Sequence, residues 1–115
     1  MDNWTSPVHY EDQPILSLDY NSPFLRFACS FTDPNKISAF AADMVRGNCF
    51  PAVLCSMYPD GYIEVVDGHH RAHAAVSIHR PIGYVIFSRP KFPYKRVGRT
   101  PAETAYLHNT NSIRS

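Results

Sequence analysis

Between positions 62 and 87 an apolar run, Tyr62-Ile63-Glu64-Val65-Val66, stops at Asp67-Gly68, and His69-His70-Arg71 follow at once. A short alanine-rich stretch comes next, then a second apolar run, Ile82-Gly83-Tyr84-Val85-Ile86-Phe87. The β-branched pair Val65 and Val66 suits a buried strand. Gly68 permits a sharp turn and a close backbone approach. The segment therefore predicts a strand, a tight turn, a helix start and another strand. It puts polar side chains at the mouth of a helix, where N–H groups lack intrahelical acceptors and the dipole favours negative charge. That combination suits an anion.

A chain of 115 residues is one domain with a single modest core. Its net charge of +1 gives no general attraction to a polyanion. No apolar run approaches the roughly 20 residues of a membrane span, so no membrane association is expected. The opening Met1-Asp2-Asn3-Trp4 has neither the basic nor the apolar part of a signal peptide. Cys29, Cys49 and Cys55 are odd in number and form no C-x-x-C pair, which suits free thiols and a cytoplasmic location.

Three regions are expected: a polar arm over residues 1–13, a core over 14–88, and a basic-aromatic extension over 89–115. Within the core, residues 14–18 read as a strand, and 19–32 as a long connection carrying Arg26, which can reach a phosphate or pack its stem on Phe24 or Phe27. Asp33-Pro34 opens the clearest helix, with Asp as cap and Pro in the first turn. Ile37, Phe40, Ala41, Met44 and Val45 mark its buried face, and Gly47 ends it. Residues 51–58 and 62–66 read as strands joined by a Pro59-Asp60-Gly61 turn, and 82–88 as a further strand. The extension gathers Arg89, Lys91, Lys95, Arg96 and Arg99 around Phe92 and Tyr94. That mixture suits a nucleic-acid backbone and base stacking, or a solvated connector. Thr100-Pro101-Ala102-Glu103 reads as the start of a short last helix.

On a helix starting after Gly68, at about 100° per residue, Ala72, Ala74, Ala75, Val76 and Ile78 form one broad apolar face. His69, His70 and His73 share the polar side, and Arg71 emerges at the mouth. Arg71 offers a forked donor to phosphate oxygens. His69 and His70 can donate to phosphates or move a proton near neutral pH. Asp67 can hold Mg²⁺ or orient a histidine. Structural roles stay open beside these: Asp67 as a helix cap, Arg71 paired with Asp67 or Glu64, and His79 as a plain surface histidine.

The Asp67-Gly68-His69-His70-Arg71 turn, with Ala74 following, resembles the Gly-x-x-Arg turn of the ParB/sulfiredoxin-like superfamily, in the form seen in ParB-like proteins that include free-serine kinases. The resemblance spans residues 14–88. It implies an α+β fold, a short mixed sheet packed with two to three helices, of bacterial or phage origin. It also implies phosphate binding of a nucleotide (ATP, ADP or CTP) with Mg²⁺, and hydrolysis or phosphoryl transfer. Gly68, His70 and Arg71 would bind the nucleotide and Asp67, His69 and His70 would serve catalysis. Gly47, in the loop expected beside the motif, and Arg26 would complete the binding set. His69 stands where a sulfiredoxin-type enzyme needs its cysteine, which argues against sulfinic-acid reduction. His73 stands where partition proteins carry a second arginine. A serine kinase also needs an N-terminal carboxylate, for which Asp19 and Glu11 are the candidates.

Two other readings remain. His69 and His73 are spaced i, i+4 and, with Asp67, form an alternative metal set for a nuclease. DNA binding would run through Arg89, Lys91, Lys95, Arg96 and Arg99. A non-catalytic module acting on a protein partner, or as an oligomer, is the third class.

Overall fold

The central strands are buried over consecutive residues, Ile63 to Val65 and Ile82 to Val85, as covered sheet strands are. The computed structural model describes residues 3–28 and 31–94. In chain order the elements are β1 (Trp4–Thr5), β2 (Leu16–Leu18), β3 (Leu25–Phe27), α1 (Pro34–Val45), β4 (Phe50–Pro51), β5 (Val53–Met57), β6 (Ile63–Asp67), α2 (His69–Ser77) and β7 (Ile82–Ser88). Five strands form one mixed sheet in the order β2-β7-β5-β6-β3. β2 runs antiparallel to β7 and β5 antiparallel to β6, while β5 runs parallel to β7 and β3 parallel to β6. β1 and β4 form a separate two-stranded parallel pair. The fold is α+β, as the sequence implied. Among the described residues, no helix is long and apolar enough to cross a membrane.

The core is built from Leu25, Phe27, Val53, Val65, Ile82 and Val85, all fully buried, with Met44 reaching in from α1. Each such side chain contributes roughly 1.5–3 kcal/mol by leaving water. Ala72, Ala74 and Ala75 are also fully buried, and their small size lets α2 lie close to the sheet. α1 packs chiefly on α2, and Phe40 meets Phe50 edge-on at 5.2 Å. Asp33 caps α1 by accepting from the Asn35 N–H at 2.9 Å. After the Arg46 cap, Gly47 takes φ +91° and its N–H donates to the Met44 carbonyl.

Two sequence expectations are corrected. The connection over residues 19–32 contains β3, paired in register with β6 at Leu25↔Ile63 and Phe27↔Val65. Three residues are too few to show a period in the sequence, and pairing and burial fix the strand instead. Val45, counted on the buried face of α1, is 62% exposed. Because α1 rests on a helix rather than on the breadth of the sheet, a narrower apolar stripe suffices.

The turn at positions 59–61 forms as expected, with the Tyr58 N–H donating to the Tyr62 carbonyl at 2.9 Å. The N-terminal segment is tied into the domain. Trp4 is buried and its indole N–H donates to the Pro81 carbonyl at 3.2 Å. Asn3 donates to the carbonyls of Met44 and Asn48, and Arg80 reaches the Asn3 side chain and the Met44 carbonyl. The expected last helix and Lys95, Arg96 and Arg99 lie outside the described residues.

Candidate anion-binding groove

β6 carries Asp67 to the end of the sheet, and Gly68 turns the chain into α2 with φ +91°. The ladder of α2 begins with the Ala72 N–H donating to the Gly68 carbonyl at 3.0 Å. Gly68 is the N-cap, so no side chain caps the helix. Asp67 therefore does not serve as a cap. The N-terminal half of α1 passes this opening, and the Asp33 N–H donates to His70 Nε2 at 2.9 Å. Between the two helix starts lies a groove of about 500 Å³. Residues 67–71 form its polar end, and Phe31, Lys36, Ala39, Phe40 and Asp43 line the rest. Its volume falls in the range of small-ligand sites.

Arg71 is held over the turn. Its Nε donates to the Pro51 carbonyl at 3.0 Å. A Cβ on Gly68 would stand 2.6 Å from Arg71 Nη2 and 2.8 Å from Val53 Cγ1. Glycine is thus required twice here, for the backbone angle and for the guanidinium lying against it. Arg71 forms no ion pair with Asp67 or Glu64. Strand alternation places positions 64 and 67 on opposite faces. Glu64 is buried and accepts from the Tyr58 hydroxyl at 3.2 Å. The terminal amino groups of Arg71 have no hydrogen-bond partner among the described residues, and they border the groove. Burial disfavours the charge on Arg71, and Asp67 works the other way.

The three histidines separate. His69 is half-buried, and burial pulls its pKa below the ordinary histidine value, against an opposing hydrogen bond with Val65 backbone and the charge of Asp67. It is neutral at neutral pH and can take up a proton. His70 lines the groove with its Nε2 lone pair engaged by Asp33. His73 leaves the polar side on which the helical wheel put it. It is 7% exposed and stacks on Phe27 at 3.9 Å with rings 12° apart. A nine-residue helix wedged between a sheet and a second helix buries more than one face, so a wheel with one apolar side misplaces it. Among the described residues, no three His, Cys, Asp or Glu side chains converge as a metal-ligand set.

Gly47 and Arg26 are not brought to this groove. Gly47 lies at the far end of α1, lining a different cavity with Trp4 and Arg80. Arg26 lies over the Tyr62 ring at 4.9 Å and donates through Nη1 to the carbonyls of Pro23 and Leu25. Lys36, Phe40 and the Pro51 carbonyl take part instead. Lys36 sits one turn inside the Asp33-Pro34 helix start, a position the sequence does show. Nothing in the sequence shows that this helix start faces the other one. The chain matches no protein-family model and no curated protein.

Proposed function

We propose that this chain binds a nucleotide through its phosphates in the groove at the start of α2, and hydrolyses it or transfers its terminal phosphoryl group with Mg²⁺. The observation that carries this reading is the Arg71 guanidinium. Its Nε is fixed to Pro51, and its two terminal nitrogens are left to the groove beside an uncapped helix start. A phosphate there meets a forked donor and the positive end of the helix dipole. Lys36 adds a second cation from α1, and Phe31 and Phe40 supply an apolar wall for a base. The resemblance of residues 67–71 to the ParB/sulfiredoxin-like turn supports the same ligand class.

The side chains then divide the work. Arg71 and Lys36 neutralise phosphate charge. His69, neutral at working pH, accepts a proton from the attacking hydroxyl or water. His70 fixes the distance between the two helix starts through Asp33. Asp67, exposed at the lip, is the carboxylate free to hold Mg²⁺, since Asp43 is paired with Arg46. An ion held by Asp67 would supply positive charge to offset that of the phosphates.

The test is calorimetric titration and thermal melting with ATP, CTP and GTP, with and without Mg²⁺, followed by phosphate release. One nucleotide should raise the melting temperature, and Arg71→Ala and Arg71→Lys should both abolish the rise. Lysine keeps the charge but cannot span Pro51 and a phosphate together. No shift from any nucleotide would overturn the proposal. Binding without phosphate release would leave a nucleotide-binding module and remove the catalytic part.

A further inference from the structure

At the opposite end of β6 from Asp67 the side chains facing away from α2 form a second concentration of chemistry. Leu25 and Phe27 of β3 point to the core, where Phe27 meets His73, so Phe24 and Arg26 point the other way. Tyr62 and Glu64 share that far face. Residues 89–94 leave β7 and fold back over it. Arg89 reaches Met57, and the Tyr94 N–H donates to Asp60 Oδ2 at 3.1 Å. Five rings then stand in an unbroken row. Phe24 meets Tyr62 at 5.6 Å, Tyr62 stacks on Tyr94 at 4.9 Å, Tyr94 meets Tyr58 at 5.0 Å, and Tyr58 meets Phe92 at 6.1 Å. The rings at the two ends are the exposed ones, Phe24 at 44% and Phe92 at 56%.

Cations outnumber carboxylates along this row, three (Arg26, Arg89 and Lys91) to two (Asp60 and Glu64). Arg26 lies over Tyr62, and Arg89 and Lys91 are exposed. Positions 89–99 hold five basic residues and no acidic one. The nearby carboxylates are already engaged, Asp60 by the Tyr94 N–H and Glu64 by the Tyr58 hydroxyl. Rings bordered by an excess of cations match a ligand with a repeating negative backbone and flat unpaired faces. A duplex has the backbone but hides the faces, and a protein segment lacks the repeating charge.

We infer that the far face of the sheet, from Phe24 across Tyr62 and Tyr58 to Phe92, is a binding surface for single-stranded nucleic acid, with Arg89 and Lys91 on its phosphates. The surface is independent of the groove at Asp67, which opens at the other end of the strand. The end rings stack on bases, and the inner rings and Arg26 hold the platform rigid.

Fluorescence anisotropy with a labelled oligothymidylate of about 20 nucleotides would test this, using the full chain, a duplex of the same length and anionic phosphatidylserine vesicles as competitors. Binding should weaken steeply with added salt. It should fall about tenfold or more in the Phe24→Ala, Phe92→Ala double variant, as loss of base stacking implies. That variant should keep the nucleotide-induced thermal shift of the groove. If alanine lowers the melting temperature, Phe24→Leu with Phe92→Leu preserves apolar bulk while removing the flat face, and should show the same loss. No binding, equal binding of the duplex, displacement by the vesicles, or unchanged affinity in the leucine variant would each overturn the inference.

Discussion

Arg71 and Arg26 are both half-buried, and main-chain carbonyls hold both, yet they are held differently. Arg26 gives one terminal nitrogen, Nη1, to two carbonyls and sits over the Tyr62 ring, so one arm of its fork and one face are engaged by the fold. Arg71 is held by Nε alone, at the root of the guanidinium, and its fork stays open over Gly68. One arginine builds a platform and the other presents a hand. The difference lies in which nitrogen the backbone captures. That in turn depends on whether the arginine sits in a strand or in the first turn of a helix.

The largest way to break the Arg71 arrangement is to fill the space beneath it. Gly68→Ala puts a methyl group against the guanidinium and Val53 at a positive φ. Backbone strain of about 1–2 kcal/mol adds to overpacking of about 1–3 kcal/mol. We expect a loss near 3 kcal/mol in urea denaturation, together with loss of nucleotide binding. Gly47→Ala is the control. Its φ is also +91°, but nothing lies within 4 Å of the new Cβ. It should cost about 1–2 kcal/mol from the backbone angle alone and leave binding intact. Equal losses at the two positions would mean that the contact with Arg71 contributes nothing.

Exchanging the two arginines sharpens the comparison. Arg71→Ala should remove the stabilisation that nucleotide gives, about 2.7 kcal/mol at 100 times its dissociation constant. It should lower the ligand-free stability by only about 1 kcal/mol, since one hydrogen bond is lost and a half-buried charge is relieved. Arg26→Ala should do the reverse, lowering ligand-free stability by about 1–2 kcal/mol through two hydrogen bonds and a ring contact while keeping the nucleotide shift. A nucleotide shift lost in both variants would show that Arg26 acts at the groove after all.

How much of this was legible in the sequence follows the same division. The strand, turn and helix start at Asp67-Gly68-His69 could be read because local rules govern each step: β-branching, a positive-φ turn and a helix mouth. The open fork of Arg71 could not, because the Pro51 carbonyl that holds it comes from another strand, twenty positions away. His73 went to the wrong side for a related reason. A helical wheel knows the period of α2 but not that β3 brings the Phe27 ring against its His73 side. β3 escaped because only its partner β6 makes it a strand. The role of Lys36 at the groove depends on two helix starts meeting through Asp33 and His70, a contact between residues 37 positions apart.

Acid provides a smaller perturbation confined to the groove side. Burial lowers the His69 pKa, so the unfolded chain binds a proton at a higher pH than the folded one. Stability then rises with pH wherever the unfolded state holds more protons. The domain should lose stability as pH falls from the ordinary histidine value of about 6.5 toward the lower folded value. His69→Gln should flatten that part of the curve. The far face carries no histidine in its row of rings, so its oligonucleotide affinity should be level over the same window. A stability curve unchanged by His69→Gln would remove His69 as the buried neutral group.

The smallest effect expected on folding falls at Asp67. It is exposed, it caps no helix and it makes no ion pair among the described residues, so Asp67→Asn should move stability by less than about 0.5 kcal/mol. It should also raise the positive field around Arg71, because the carboxylate charge that supports the guanidinium is gone. These two consequences separate a metal-holding role from an electrostatic one. If Asp67 only balances Arg71, the amide should bind nucleotide without Mg²⁺ as well as the wild type or better, and Mg²⁺ should help both equally. If Asp67 holds the ion, the amide should keep metal-free binding and lose the added thermal shift that Mg²⁺ gives. Nucleotide titrations of the two proteins, with Mg²⁺ varied at fixed ionic strength, distinguish the cases because overall stability is the same in both.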